Sequence, residues 1–249
     1  MSGVITLLTD FGTADGYVGE MKGILLAAAP GVTLVDIAHD VLPQDVDGAR
    51  LAVARYWRRF PTGSVHLVVV DPGVGASRAA LAVACEGRFL VGPDNGVLSP
   101  ALLHADARCV ALRVPAGAAP TFHGRDVFAP AAAALARGAS LDSLGEPCGA
   151  SVVLRTPEAL RRDDGSIVGV IIAVDRFGNA ITNLVAWRGG VVEVTGHRLP
   201  IVRTYAEVES GNPTALIGSS GLVEIAVRDG SAAARLALRR GTEVVLRPR

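Results

Sequence analysis

Val65-His-Leu-Val-Val-Val70 is an apolar run with no polar alternation, stopped at once by Asp71-Pro-Gly-Val-Gly75. A run of that length suits a strand covered on both faces, and the Pro-Gly pair cannot continue it. Such a strand needs helices above and below, and the sequence around it supplies them. Residues 4–8 read as a strand. Residues 17–29 then read as a helix, with Val18, Met21, Ile24, Leu25 and Ala28 on one face and Pro30-Gly31 as its stop. A strand over 33–37, a helix over 46–60, strands over 80–85 and 88–91, and an Ala-rich helix over 126–136 continue the alternation. The pattern predicts an α/β fold: a mostly parallel sheet flanked by helices.

The texture changes after Gly149. Arg161-Arg-Asp-Asp-Gly165 is a polar break, followed by short strand-like runs at 166–174, 181–184, 190–194, 199–202, 214–217, 222–226, 234–238 and 242–246. Helical periodicity is absent there, which predicts a smaller all-β, barrel-like C-terminal domain. The expected division is 1–149 for the α/β domain and 165–249 for the β domain.

Formal net charge is zero and the basic residues are scattered, the densest group being Arg55, Arg58 and Arg59. That argues against a nucleic-acid partner. Cys85, Cys109 and Cys148 have no metal-ligand spacing, and Cys85 sits in an apolar run that suits a buried, reduced thiol. No apolar run approaches the roughly 20 residues of a membrane span, and residues 4–8 follow the N-terminus with no basic region or cleavage signature. The expectation is a cytoplasmic protein without a membrane partner.

Asp71 falls at the carboxyl end of a central strand, where open α/β sheets place their ligands. Arg78 follows closely, and His123 stands in Thr121-Phe-His-Gly-Arg-Asp126. A carboxylate, a guanidinium and an imidazole can orient and deprotonate water without a metal. Asp71 equally suits the head of an Asp-Pro-Gly turn, and His39 is a rival histidine after a strand. Asp10, in Thr9-Asp-Phe-Gly12, leaves the same sheet edge; its acceptor oxygens suit a vicinal diol, or it caps the following helix. A metal site of Asp10, Asp71 and His123 is opposed by Arg78, whose charge would repel a cation.

In the β domain, Asp175-Arg-Phe-Gly-Asn179 is a polar end to a long apolar strand. Asn179 offers a donor and an acceptor that match the edge of an adenine, or forms a simple turn. Tyr205 suits base stacking or a core position. Gly218-Ser-Ser-Gly221, before Leu222-Val-Glu224-Ile-Ala226, suits a carboxylate site or a plain serine turn.

Taken together and in order, six motifs resemble the S-adenosyl-L-methionine hydrolases, or SAM hydroxide adenosyltransferases, relatives of the halogenating SAM enzymes. They are Thr9-Asp-Phe-Gly12; Asp71-Pro-Gly-Val-Gly75 with Arg78; Pro93-Asp-Asn-Gly96; Phe122-His-Gly-Arg-Asp126; Asp175-Arg-Phe-Gly-Asn179; and Ser219-Ser-Gly221 before Glu224-Ile-Ala226. The resemblance implies an α/β domain followed by a β-barrel, in homotrimers whose sites lie at subunit interfaces. It implies hydrolysis of S-adenosyl-L-methionine to adenosine and methionine, with no cofactor and no metal. Asp71, Arg78 and His123 would handle water, and Asp10 the ribose. Asn179 would read adenine with backbone near Val227, while Phe177 and Tyr205 supply apolar surface. Asp175 would meet the methionine ammonium, and Ser219 with Ser220 its carboxylate. Glu224 fits the strand pattern of the hydrolases without an assigned role. The halogenating relatives place a neutral side chain where Asp71 stands and a small residue where His123 stands, so a carboxylate that would repel halide and an imidazole that would fill its cavity favour water as the nucleophile.

Overall fold

The computed structural model describes residues 3–186 and 189–248. It divides into two compact units between Leu154 and Arg155.

The first unit contains strands β1 (Val4–Thr9), β2 (Thr33–Ala38), β3 (Val65–Val69), β4 (Ala80–Cys85), β5 (Arg88–Pro93), β6 (Arg108–Leu112) and β7 (Gly145–Pro147). Its helices are α1 (Tyr17–Ala28), α2 (Val46–Tyr56), α3 (Ser99–Leu102) and α4 (Ala129–Ala136). The sheet order is β2-β1-β3-β5-β4-β6-β7. Pairs β1–β2, β1–β3 and β3–β5 are parallel, whereas β4–β5, β4–β6 and β6–β7 are antiparallel. The antiparallel half has a local cause. Only Glu86 and Gly87 join β4 to β5, both with positive φ (48° and 69°), and a two-residue link can make only a hairpin.

β3 is buried along its whole length, as its composition demands. Alternate side chains enter opposite cores. Leu67 and Val69 pack with Ile5, Leu7, Met21, Leu25 and Phe128, on the face covered by α1 and α4. Val68 and Val70 pack with Leu8, Val53, Trp57 and Leu81, on the face covered by α2 and α3. Burying a side chain of this kind contributes about 1.5–3 kcal/mol.

The second unit contains β8 (Leu160–Arg161), β9 (Ile167–Val174), β10 (Ala180–Val185), β11 (Gly190–Val194), β12 (His197–Val202), β13 (Pro213–Ile217), β14 (Leu222–Val227), the short helix α5 (Ala232–Arg235) and β15 (Glu243–Pro248). The order β10-β14-β13-β12-β11-β15-β9 closes through β9–β10 into a seven-stranded barrel, with β8 added outside β9. Among the described residues β12–β13 pairs parallel and the other barrel pairs antiparallel.

One expected strand is absent. Residues 234–238 are not extended: α5 is capped by Ser231, whose Oγ accepts the Ala234 N–H at 3.1 Å. Leu236 and Leu238 then turn into the barrel core. A five-residue apolar run fits either period, and the N-cap serine decides it here. The Ala-rich helix also begins differently than expected, in a π turn over Gly124–Phe128 that leads into α4. Among the described residues no helix is long and apolar enough to cross a membrane.

Candidate functional site

Register brings the chemistry of the first unit to one edge. Leu8 lies beside Ala38 of β2, and Thr9 beside Val69 of β3, so the carboxyl ends of these parallel strands release His39, Asp10 and Asp71 next to one another. Asn95, after β5, donates its side-chain N–H to the Val70 carbonyl at 2.8 Å and fixes the exit of β3. Its neighbour Asp94 accepts from the backbone of Ser151 and Val152. This motif therefore acts as a brace for the edge.

After β3 the chain coils tightly, with Val74 N–H on the Asp71 carbonyl and Ala76 N–H on that of Gly73. The coil returns Arg78 onto Asp71. Arg78 Nε donates to Asp71 Oδ1 at 3.0 Å, Nη2 donates to Oδ2, and Nη2 also lies 3.0 Å from His123 Nδ1. The two side chains are 9% and 4% exposed, so this forked ion pair is shielded from solvent. His123 is buried as well. The Arg78 guanidinium sits 5.4 Å from the centre of the Phe128 ring, which gives it an apolar floor.

The three expected water-handling residues thus meet around one cation. Burial pushes the His123 imidazole below its ordinary value, and the Arg78 charge adds to that; Asp71 and Asp126 oppose it. Because a guanidinium can only donate, its contact with Nδ1 assigns the tautomer that carries its proton on Nε2.

His123 is delivered by a braced loop. Asp126 accepts the Ala119 N–H at 2.9 Å and pairs with Arg125, which reaches Glu20 on α1 and lies over the Phe122 ring. The loop meets the Asp71 coil at Gly75. That residue has φ +76°, and a Cβ there would come within 2.5 Å of the Pro120 carbonyl oxygen.

Asp10 accepts the Gln44 backbone N–H at 2.8 Å. Gln44 has φ +66°, an uncommon conformation for a residue with a side chain. Phe11, Tyr17 and Phe122 form an edge-to-face cluster beside it, with centroids 5.4–6.0 Å apart. The backbone role of Gln44 was invisible to sequence reasoning, because no side-chain signal marks it.

In the second unit, Phe177, Asn179, Tyr205 and Val227 converge on a cleft of about 460 Å³, together with Asp229 and Gly230. Asp229 and Gly230 were missed; their signal was an Asp-Gly turn after a strand. Phe177 is 77% exposed, a large apolar ring facing outward, and Asn179 is buried. Burial raises the Tyr205 phenol above its ordinary value, helped by the negative charges of Glu224 and Asp175.

Asp175 does not line this cleft. Its Oδ1 accepts the N–H groups of Phe177 and Asn179, and its Oδ2 the Asn179 side-chain amide at 3.0 Å, so the carboxylate builds the turn that aims Asn179. Ser219 and Ser220 are exposed on a turn closed by Gly218 and Gly221 N–H bonds. Glu224 is buried against that turn: a Cβ on Gly218 would meet its carboxylate.

Among the described residues one cluster, Cys85, His104 and Asp106, has the spacing of cation ligands. Arg58 already supplies the positive charge there, with Nη2 3.1 Å from His104 Nδ1 and a fork onto Glu86.

Residues 5–145 match the SAM hydroxide adenosyltransferase N-terminal domain, and 169–245 match the C-terminal domain of the same family. An (R)-S-adenosyl-L-methionine hydrolase from Thermus thermophilus is 45% identical, over 97% of this chain and 98% of its own. A fluorinase from an Actinoplanes species is more distant, at 27% identity over 90% of each chain. The crystal structure of an uncharacterized conserved protein from Thermotoga maritima superposes with a TM-score of 0.88 at 30% identity, covering 98% of this chain and all of that one.

Gly75→Ala tests the junction of the two loops. Its left-handed backbone and the Pro120 contact predict a loss of about 1–3 kcal/mol in urea unfolding. Unchanged stability would show that the loops do not meet there.

Proposed function

The chain belongs to the SAM hydroxide adenosyltransferase family, and from that membership we propose that it hydrolyses S-adenosyl-L-methionine, in the (R) form named for its Thermus relative, to adenosine and L-methionine. The observation that carries the reading is the single guanidinium of Arg78 shared by Asp71 and His123.

The chemistry asks little of the protein at the leaving group. Sulfur departs as a neutral thioether, taking the C5′–S bonding pair, and needs no proton. Water is the poor partner, with a pKa of about 15.7 in bulk. As its oxygen bonds C5′ it becomes strongly acidic, so a carboxylate is base enough to take the proton. In this reading Asp71 accepts it through lone pairs that the Arg78 fork leaves open. Arg78 stabilises the hydroxide-like oxygen, and His123 orients it through Nε2–H. A halide would have to approach the Asp71 carboxylate, which favours water as nucleophile. The sulfonium already supplies the electrophile, so neither metal nor cofactor enters the scheme.

For the substrate, Asp10 would hold the ribose hydroxyls. Asn179, with backbone near Val227, would read adenine, and Phe177 and Tyr205 would stack on it. Asp175 would meet the methionine ammonium with its remaining lone pairs, Ser219 and Ser220 its carboxylate, and Glu224 would support their turn. We also propose a homotrimer, in which one copy's α/β unit is served by another copy's barrel.

Incubation with substrate in 18O-water, with chloride and EDTA present, tests the reaction. Adenosine bearing 18O at the 5′ oxygen is expected; 5′-chloroadenosine would indicate a halogenase, and unchanged substrate a binding protein. Asp71→Ala and His123→Ala should each lower turnover by roughly 10²-fold or more.

The pH profile has a definite sign. His123 must be neutral to accept from Arg78, so kcat/KM, which reports the free enzyme, should fall as pH drops through its pKa. That pKa is depressed, which puts the acidic limb below about 6.5. A limb centred well above that value would contradict the assigned role.

Subunit exchange between His123→Ala and Asn179→Ala proteins should restore part of the activity, since some pairings then combine two intact halves. A monomer in light scattering, or no rescue after proven exchange, would refute the shared arrangement.

A further inference from the structure

Behind Asp10 runs a polar chain that the water chemistry does not use. Thr9 is fully buried, and its Oγ1 lies 2.9 Å from His39 Nδ1 and accepts the Phe11 N–H at 3.3 Å. The His39 carbonyl accepts the Gly12 N–H at 2.7 Å. His39 therefore grips both ends of the turn that carries Asp10, by its ring at Thr9 and by its backbone at Gly12. On its other side Nε2 is 3.0 Å from Asp36 Oδ1, by a bent approach that is an electrostatic contact more than a full hydrogen bond. Asp36 accepts in turn from Lys22 Nζ at 2.6 Å.

Threonine, histidine and aspartate in that order look like a nucleophilic triad. Burial rules that out: Thr9 is 0% exposed and His39 only 7%, so no substrate carbonyl can reach the hydroxyl. The Lys22–Asp36 end is solvated and contributes little on its own. The dry Thr9–His39 contact is the part with mechanical effect, because losing it leaves the buried Thr9 hydroxyl with only the longer bond from the Phe11 N–H.

We propose that His39 is a positioning residue for the hydrolysis, fixing the Asp10 carboxylate where the ribose hydroxyls dock. The inference rests on reading Asp10 as the ribose ligand. Its geometry is a two-sided clamp: His39 holds the backbone around Asp10, and the Gln44 N–H holds its Oδ2 at 2.8 Å. The clamp is available because β1 and β2 run parallel and leave the sheet together, with Leu8 beside Ala38. A carboxylate pinned in this way binds a diol without first losing rotamer freedom.

The test is a double-mutant cycle read by calorimetry with adenosine and by steady-state kinetics with substrate. Asp10→Ala should weaken adenosine binding. His39→Ala should weaken it by about tenfold, the scale of one lost buried hydrogen bond, and should raise KM with kcat little changed. In the Asp10→Ala background, His39→Ala should cost nothing more, since it acts through Asp10. His39→Asn, whose amide can still reach Thr9, should recover most of the affinity. Should His39→Ala not fold, Thr9→Val replaces it in the same cycle, removing the hydroxyl while keeping the shape.

If Asp10→Ala leaves affinity intact, the ribose reading falls and the positioning role with it. If Asp10→Ala weakens binding but His39→Ala does not, or does so equally in both backgrounds, the positioning role alone is refuted. His39→Asn binding as poorly as His39→Ala would also overturn it.

Discussion

One guanidinium organises the α/β unit's working edge. A buried arginine without a counter-charge would be destabilising by several kcal/mol, so Arg78 needs the Asp71 carboxylate, and Asp71 equally needs Arg78. Satisfying both fixes the coil that follows β3, since only a tight return lets a side chain seven residues on fork onto the strand end. The remaining face of the same cation selects a neutral imidazole, because a second positive charge at 3.0 Å would be repelled. Charge balance thus dictates geometry and protonation state together. Under the proposed hydrolysis, such a preorganised set of donors and acceptors would not have to rearrange as charge develops on an attacking oxygen.

The scaffold supports this in proportion to its rigidity. Two cores sandwich β3, so the strand end can shift only by disturbing packed side chains on both faces. The His123 loop is anchored by Asp126 on Ala119, by Arg125 on Glu20 and by the close passage of Pro120 over Gly75. The barrel unit presents a different kind of surface. Its cleft is lined by an outward-facing Phe177 and a half-exposed Tyr205 around a buried Asn179, with Asp229 also on its lining, so broad aromatic area surrounds a few polar groups. Aromatic faces give contact area at little cost in lost side-chain freedom.

Much of this was legible in the sequence, for physical reasons that can be stated. β3 was plain because a doubly covered strand has no polar positions, and Asp71 was placed by the turn that ends it. The change to an all-β unit showed in run lengths and turn spacing. Other features carried no local signal. β6 and β7 are short, partly exposed antiparallel additions, and the β4–β5 hairpin depends on Glu86 taking a positive φ that glutamate rarely adopts. The π turn after His123 is closed by the Ala129 N–H on the Gly124 carbonyl, five residues back, a spacing that no local pattern in the sequence announces. Meeting of Arg78 and His123, 45 residues apart, follows from tertiary packing and not from any pattern along the chain. Asp175 illustrates the opposite limit: its motif was visible, but which groups its oxygens would hold was not.

Arg78→Lys tests the central claim most directly, because lysine keeps the charge and loses the fork that spans Asp71 and His123. Turnover and substrate affinity should be measured on the same folded variant. A fall in kcat of roughly 10²-fold or more, with affinity within a few-fold of the parent, is the predicted result. Near-normal turnover with lysine in place would contradict it, since a point charge would then suffice and the shared guanidinium would not be what activates the water.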